Sequence, residues 1–205
     1  MKRCIIFCAG DFTELVRSVE AEDLVIAADG GLVHLTRLGI TPHIILGDFD
    51  SLGYVPENAE VHPAEKDDTD TMLAIKKGLA QGCREFWIYG GMDGPRPDHT
   101  VANYQALQFI ADHGGIGYLA GNTAIATVIK NGTMPFPADK KGMLSVFCMG
   151  ADANGVTLKG LKYTLENGTL TAGDPLGTSN QFIGKAASVT VENGSLLLIW
   201  ERTKN

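Results

Sequence analysis

The chain has little that would crosslink it, anchor it in a membrane or draw it to a polyanion. Its 205 residues include four cysteines, Cys4, Cys8, Cys83 and Cys148, scattered through apolar segments without a C-x-x-C pair. That spacing argues against a disulfide framework or a zinc ribbon and leaves structural thiols in a reducing compartment. No apolar run in the sequence approaches the ~20 residues of a membrane span. Met1-Lys2-Arg3 and the apolar run after it imitate a secretion signal, but the run is short and Asp11 and Glu14 follow at once. A first core strand in a cytoplasmic protein is therefore expected. Positive charge is scarce: 17 Lys and Arg stand against 24 Asp and Glu, for a net charge of −7. Neither nucleic acid nor an anionic membrane is an expected partner, since both need a basic face. Neither phosphate-binding string, GxxxxGK[ST] or GxGxxG, occurs. No Ser-His-Asp or Cys-His pattern marks a nucleophile, and His34, His43, His62 and His113 show no metal-ligand spacing.

What is present is an alternation. Apolar runs over 3–9, 24–28, 44–46, 60–62, 85–89 and 116–120 read as strands. Helical spacing is expected over 11–19, over 32–38, after the acidic run at 67–71, and over 98–111. Strands joined by helices imply a mostly parallel, Rossmann-like sheet with helices on both faces. From about Gly121 the pattern changes to short apolar segments at 124–129, 144–147, 156–158, 161–165, 188–191 and 196–200. Asn-Gly pairs at 131, 154, 167 and 193 read as hairpin turns between them. The expected organisation is an α/β domain over 1–121 and an all-β sandwich or barrel-like domain over 122–205.

Four acidic motifs fall at the ends of consecutive expected strands: Asp29-Gly30-Gly31, Gly47-Asp48-Phe49-Asp50-Ser51, Asp67 to Asp70, and Asp93 to His99. In a parallel sheet those ends share one edge, the edge where open α/β folds bind ligands. Eight carboxylates there (Asp29, Asp48, Asp50, Asp67, Asp68, Asp70, Asp93 and Asp98) would raise each other's pKa by repulsion. A hard cation such as Mg²⁺ would relieve that repulsion. Some of the acids have a plainer use, since Asp67, Asp68 and Asp98 also stand where helix N-caps are expected. Glycines at 30, 31, 90, 91 and 94 let backbone approach a bulky ligand, and nearby helix N-termini favour phosphate. Arg96 is the first candidate to pair with a phosphate and Lys66 the second. His99 is open to three readings: orienting Asp98, touching phosphate, or simple packing.

Asp29-Gly30-Gly31, Pro42, Gly47 to Ser51, Lys66-Asp67-x-Thr69-Asp70 and Arg96-x-Asp98-His99-x-x-x-Asn103, in this order, resemble the thiamine pyrophosphokinase family. Gly160-Leu161-Lys162-Tyr163-x-Leu165 and Gly177-Thr178-Ser179-Asn180 are similar to the β-domain signature of that family. Pro95 and Pro97 depart from the pattern, standing where the family usually has a glycine and an aliphatic or aromatic residue. The resemblance implies diphosphate transfer from ATP to the hydroxyethyl oxygen of thiamine, with release of AMP. It implies Asp48, Asp50 and Asp70 as Mg²⁺ ligands and, with Asp98, as the catalytic set. Asp29, Gly30, Gly31, Lys66, Asp67, Thr69, Arg96 and His99 would surround ATP, and Thr178, Ser179 and Asn180 would contact thiamine. It also implies a homodimer whose thiamine pocket draws on the β-domain of the partner.

Overall fold

The computed structural model describes residues 2–202. The chain divides into two compact units, Met1–Asn122 and Thr123–Asn205, rich in strand and poor in helix. The first holds strands β1 (Arg3–Phe7), β2 (Leu24–Ala28), β3 (Ile44–Gly47), β4 (Glu60–Val61), β5 (Glu85–Tyr89) and β6 (Ile116–Ala120). Its helices are α1 (Gly31–Leu38), α2 (Asp70–Ala80) and α3 (Pro97–Asp112). Within this unit the strands lie in the order β6-β5-β1-β2-β3-β4, and each of these neighbouring pairs is parallel. Ile5, Ile6, Phe7, Ile26 and Ile88 are fully or almost fully buried, as strands covered on both faces require.

Helix starts are set by local chemistry, and two of them differ from expectation. Thr69, not Asp67 or Asp68, caps α2: its Oγ1 accepts the Met72 N–H at 3.2 Å. Thr69→Ala is expected to destabilise the first unit by about 1 kcal/mol, the usual value of such a cap. The shift should appear in the urea midpoint, and an unmoved midpoint would deny the cap its role. Arg96 is the N-cap residue of α3, and Asp98 lies in the first turn. Pro97 occupies the first helical position, where a missing N–H costs nothing and a fixed φ helps.

The expected helix over 11–19 is absent. The Asp11 N–H donates to Asp93 O at 3.0 Å, the Thr13 N–H to Asn122 Oδ1 at 3.0 Å, and the Arg17 N–H to the Tyr89 hydroxyl at 3.3 Å. A helix over 11–19 would use the Arg17 N–H internally, and that donor is instead bound to another segment. Phe12 sits edge-on to Phe7 and Tyr89, with ring centroids 5.3 and 5.5 Å apart. Tertiary packing of one aromatic residue has overridden a helical sequence pattern.

The second unit contains β7 (Ala124–Phe136), β8 (Met143–Cys148), β9 (Ala153–Lys159), β10 (Leu165–Leu170), β11 (Asn180–Gln181) and β12 (Ala187–Glu201), all paired antiparallel. The Asn-Gly pairs are not hairpin turns here; all four lie inside strands. Asn131 and Asn167 take φ of 46° and 47°, and Gly155 and Gly194 take 65° and 122°. Three residues of β12 oppose one of β7 between the pairs Val191–Gly132 and Ser195–Lys130. The registers of β10, β9, β12 and β7 set the four dipeptides side by side. There β12 keeps β7 on one edge and changes partner on the other, from β9 to β8. A left-handed backbone position serves a β-bulge as well as a tight turn, and a row of bulges lets two long strands bend. The expected strand over 161–165 is also missing: Leu161 forms only a bridge with Phe182, and β10 begins at Leu165.

Candidate active site

The carboxyl ends of β1, β2, β3 and β5 open onto a cleft of about 450 Å³ within the first unit. Asp29, Asp48, Asp50, Asp70 and Asp93 all line it, as do Arg96 and His99. Close backbone packing makes this convergence possible. A Cβ at Gly31 would stand 1.9 Å from Phe7 O, so only glycine lets α1 start against β1. Gly47 has φ 152°, and a Cβ there would meet the Asp29 backbone at 3.0 Å. Phe49 is buried at φ 60° and Asp29 has φ 49°, a costly conformation for residues with side chains. The Phe49 side chain anchors that turn in the core, and Asp48 and Asp50 flank it.

Asp29, Asp48 and Asp50 each bring a carboxylate oxygen within 4.8 Å of the others. Ser51 Oγ donates to Asp29 Oδ2 at 2.5 Å, which makes Ser51 an orienting donor. Asp29 Oδ1 is buried, with no hydrogen-bond partner among the described residues. Lys66 Nζ lies 3.2 Å from Asp48 Oδ2 and 3.0 Å from Asp70 Oδ1. Burial pushes the Asp48 carboxyl up, but the Asp50 N–H and Lys66 outweigh it, and its pKa falls below the ordinary value. Asp70 moves the other way: burial raises it, and the Asp48 and Asp29 charges add to the rise against Lys66. The rise at Asp70 therefore comes from burial first and from carboxylate repulsion second, and at Asp48 the Asp50 N–H and Lys66 together reverse it.

Other expected members lie apart. Asp68 binds Lys76 at 2.6 Å, and neither it nor Asp67 lines the cleft. Asp98 is exposed and takes two hydrogen bonds from Arg96, at 3.0 and 2.7 Å, which hold its pKa at about 2. Asp93 accepts the Asn122 N–H at 2.6 Å and so ties the loop after β5 to the end of β6. Asn122 also accepts from Thr13, yet nothing in the sequence reading singled it out; its place at the end of β6 was the available signal. Asn103 Nδ2 donates to Gly91 O at 2.7 Å, fixing the glycine turn. Cys8 lines the cleft against Thr71 Oγ1 at 3.2 Å, and burial pushes its thiol up to about 12.

In the second unit, Thr178 Oγ1 donates to Pro175 O at 2.7 Å. Exposed Ser179 takes φ 60°, with its N–H on Ser145 Oγ at 3.1 Å. Asn180 is buried: Oδ1 accepts the Tyr163 and Gln181 N–H groups, and Nδ2 donates to Tyr163 O. Its amide therefore braces the Tyr163 loop. Trp200 is buried against Phe136, ring centroids 5.4 Å apart, as part of the core.

Residues 15–114 match the family described as thiamin pyrophosphokinase, catalytic domain, and residues 133–198 match thiamin pyrophosphokinase, vitamin B1 binding domain. Thiamine pyrophosphokinase of Bacillus subtilis (strain 168) is 30% identical over 203 residues, covering 91% of both chains. The chain belongs to the thiamine pyrophosphokinase family. Its fold agrees with the crystal structure of thiamine pyrophosphokinase from Bacillus subtilis at a TM-score of 0.87, with 27% identity over 99% of this chain and 100% of that one. Thiamin pyrophosphokinase from Geobacillus thermodenitrificans gives a TM-score of 0.82 at 25% identity, covering 100% and 99%. Of the two prolines that depart from the thiamine pyrophosphokinase pattern, Pro97 fits without disruption, because it opens α3.

Proposed function

We propose that the protein transfers a diphosphoryl group from ATP to thiamine, giving thiamine diphosphate and AMP. The first unit acts as a Rossmann-like ATP- and Mg²⁺-binding catalytic domain, and the second binds thiamine. One observation carries the chemistry: three carboxylates gathered within 4.8 Å at the carboxyl edge of the sheet, one with a buried oxygen that has no hydrogen-bond partner among the described residues. An all-oxygen donor set of this kind fits Mg²⁺. Asp29, Asp48 and Asp50 would hold the ion, which when bound neutralises charge on phosphate oxygens. Asp70, which the resemblance places among the ligands, lies outside that trio and on Lys66.

The hydroxyl oxygen of thiamine attacks the β-phosphorus of ATP in line. The new O–P bond forms as the bond from the β-phosphorus to the α,β-bridging oxygen breaks, and AMP leaves with that oxygen. Asp70 is assigned to accept the hydroxyl proton, since burial has raised its pKa toward that of a working base. The first turns of α2 and α3, which line the cleft, are assigned to the phosphates, with Gly30 and Gly31 leaving room for the ligand. Arg96 and His99 on the cleft wall are assigned to the phosphates, Arg96 exchanging Asp98 for one of them. Asp98 then orients Arg96 in place of acting on the reacting atoms. Positioning and charge neutralisation supply most of the rate in such a transfer.

Ser179 and Thr178 are assigned to thiamine, with Asn180 shaping the loop beside them. A cytoplasmic homodimer completes the reading. Purified protein incubated with ATP, Mg²⁺ and thiamine should yield thiamine diphosphate and AMP in equal amounts. ADP as the product, or ATP consumed without thiamine diphosphate, would refute the assignment.

A further inference from the structure

We propose that Lys66 is a positioning residue, an internal cation that divides the acidic cluster and limits the divalent ions it can take, and not a phosphate contact. The inference rests on the reading of the cleft as a Mg²⁺–nucleotide site. Lys66 Nζ bridges Asp48 and Asp70 at 3.2 and 3.0 Å, and the three side chains are only 15%, 18% and 20% exposed. Among the described residues, neither carboxylate has another cation within ion-pair distance. Moving the ammonium to a phosphate would strip two half-buried carboxylates of their counter-charge together.

Placement in the chain agrees. Lys66 lies four residues before Asp70, which opens α2, and reaches across to Asp48 just past the end of β3. It fastens the loop between these elements and does not itself line the cleft. The division follows from which oxygens it takes. Lys66 engages Asp48 Oδ2, while Asp48 Oδ1 receives the Asp50 N–H at 3.2 Å. Asp29, Asp48 and Asp50 remain together as one oxygen cluster, and Asp70 is held on the far side of the ammonium. Lys66 thus takes the place of a second metal ion between Asp48 and Asp70.

The test uses the full-length protein without nucleotide, with Mn²⁺ as the probe, in native, Lys66→Met and Lys66→Arg forms. Native protein should bind a single Mn²⁺ by calorimetry. Lys66→Met should bind a second Mn²⁺, or the first about tenfold more tightly, because a neighbouring positive charge is gone. Its thermal midpoint without divalent ions should fall below native, and Mg²⁺ should raise it by more than it raises native. Lys66→Arg should restore the metal-free midpoint. If Lys66→Met keeps native Mn²⁺ stoichiometry, affinity and metal-free midpoint while KM for ATP alone rises, Lys66 is a phosphate ligand and the inference fails. If Lys66→Met stays unfolded even with Mg²⁺ and Lys66→Arg binds Mn²⁺ without regaining stability, the counter-charge role is refuted as well. Native protein that binds no Mn²⁺ and makes no thiamine diphosphate would overturn the underlying metal reading, an outcome separable from an unchanged Lys66→Met.

Discussion

Asp50→Asn is expected to lower kcat for thiamine diphosphate formation by at least roughly 10²-fold, the scale of losing one preorganised electrostatic group. The substitution keeps the shape of the side chain and removes its charge. Asp50 is exposed, and among the described residues its carboxylate takes part in no ion pair. Its contribution to folding should therefore be small, within about 0.5 kcal/mol by urea midpoint. Its contribution to the site should be large, since it supplies one of three oxygens within 4.8 Å. Asp48 offers a less clean experiment, because removing its charge also releases Lys66. Steady-state rates at saturating ATP and thiamine, titrated with Mg²⁺, give the measurement. Near-native turnover with an unshifted Mg²⁺ requirement would remove Asp50 from the metal set. A collapse in stability would instead show a structural role that the geometry does not predict.

The convergence of Asp29, Asp48, Asp50 and Asp70 was legible because strand ends in a parallel βαβ succession share one edge whatever the loops do. The division of labour among them was not. Lys66 reaches both Asp48 and Asp70 only because its loop folds back beside β3, and no spacing rule encodes that return. In the sequence Arg96 reads as a phosphate partner and Asp98 as a helix cap or catalytic group; in the structure they pair with each other. The segment at 11–19 carries helical periodicity, but its donors go to Asp93, Asn122 and Tyr89, which are distant in sequence. In the second unit the Asn-Gly signal, read as hairpin turns, falls where one residue of each pair has left-handed backbone. It could not say whether the chain reverses or merely bulges there, because that depends on which strand lies alongside. Asn180 shows the same limit at a single residue: the motif marked it as special, and the structure spends its amide on the Tyr163 backbone.

The largest effect on stability is expected far from the cleft, at Asp23→Asn. Arg3 at the start of β1 binds Asp23, just before β2, through Nε–Oδ1 at 2.7 Å and Nη2–Oδ2 at 2.6 Å. Their side chains are 12% and 4% exposed, so the pair clamps two neighbouring strands at the edge opposite the cleft. Removing one partner leaves a guanidinium poorly solvated and unpaired, which costs about 3–5 kcal/mol for buried pairs. Acid provides an independent check. Burial pushes the Asp23 carboxyl up, but its hydrogen bonds from Arg3 and the Glu20 N–H outweigh that, and its pKa lies below the ordinary value. A depressed acid stabilises the fold fully above its unfolded pKa, about 3.9, and that contribution is lost as pH falls through the folded pKa. Native protein should therefore lose urea resistance steeply below about pH 4. Asp23→Asn should start lower at pH 7 and fall less steeply over the same range, so that the two curves converge in acid. Curves that stay parallel from pH 7 to pH 3 would mean that the Arg3–Asp23 pair does not hold these strands.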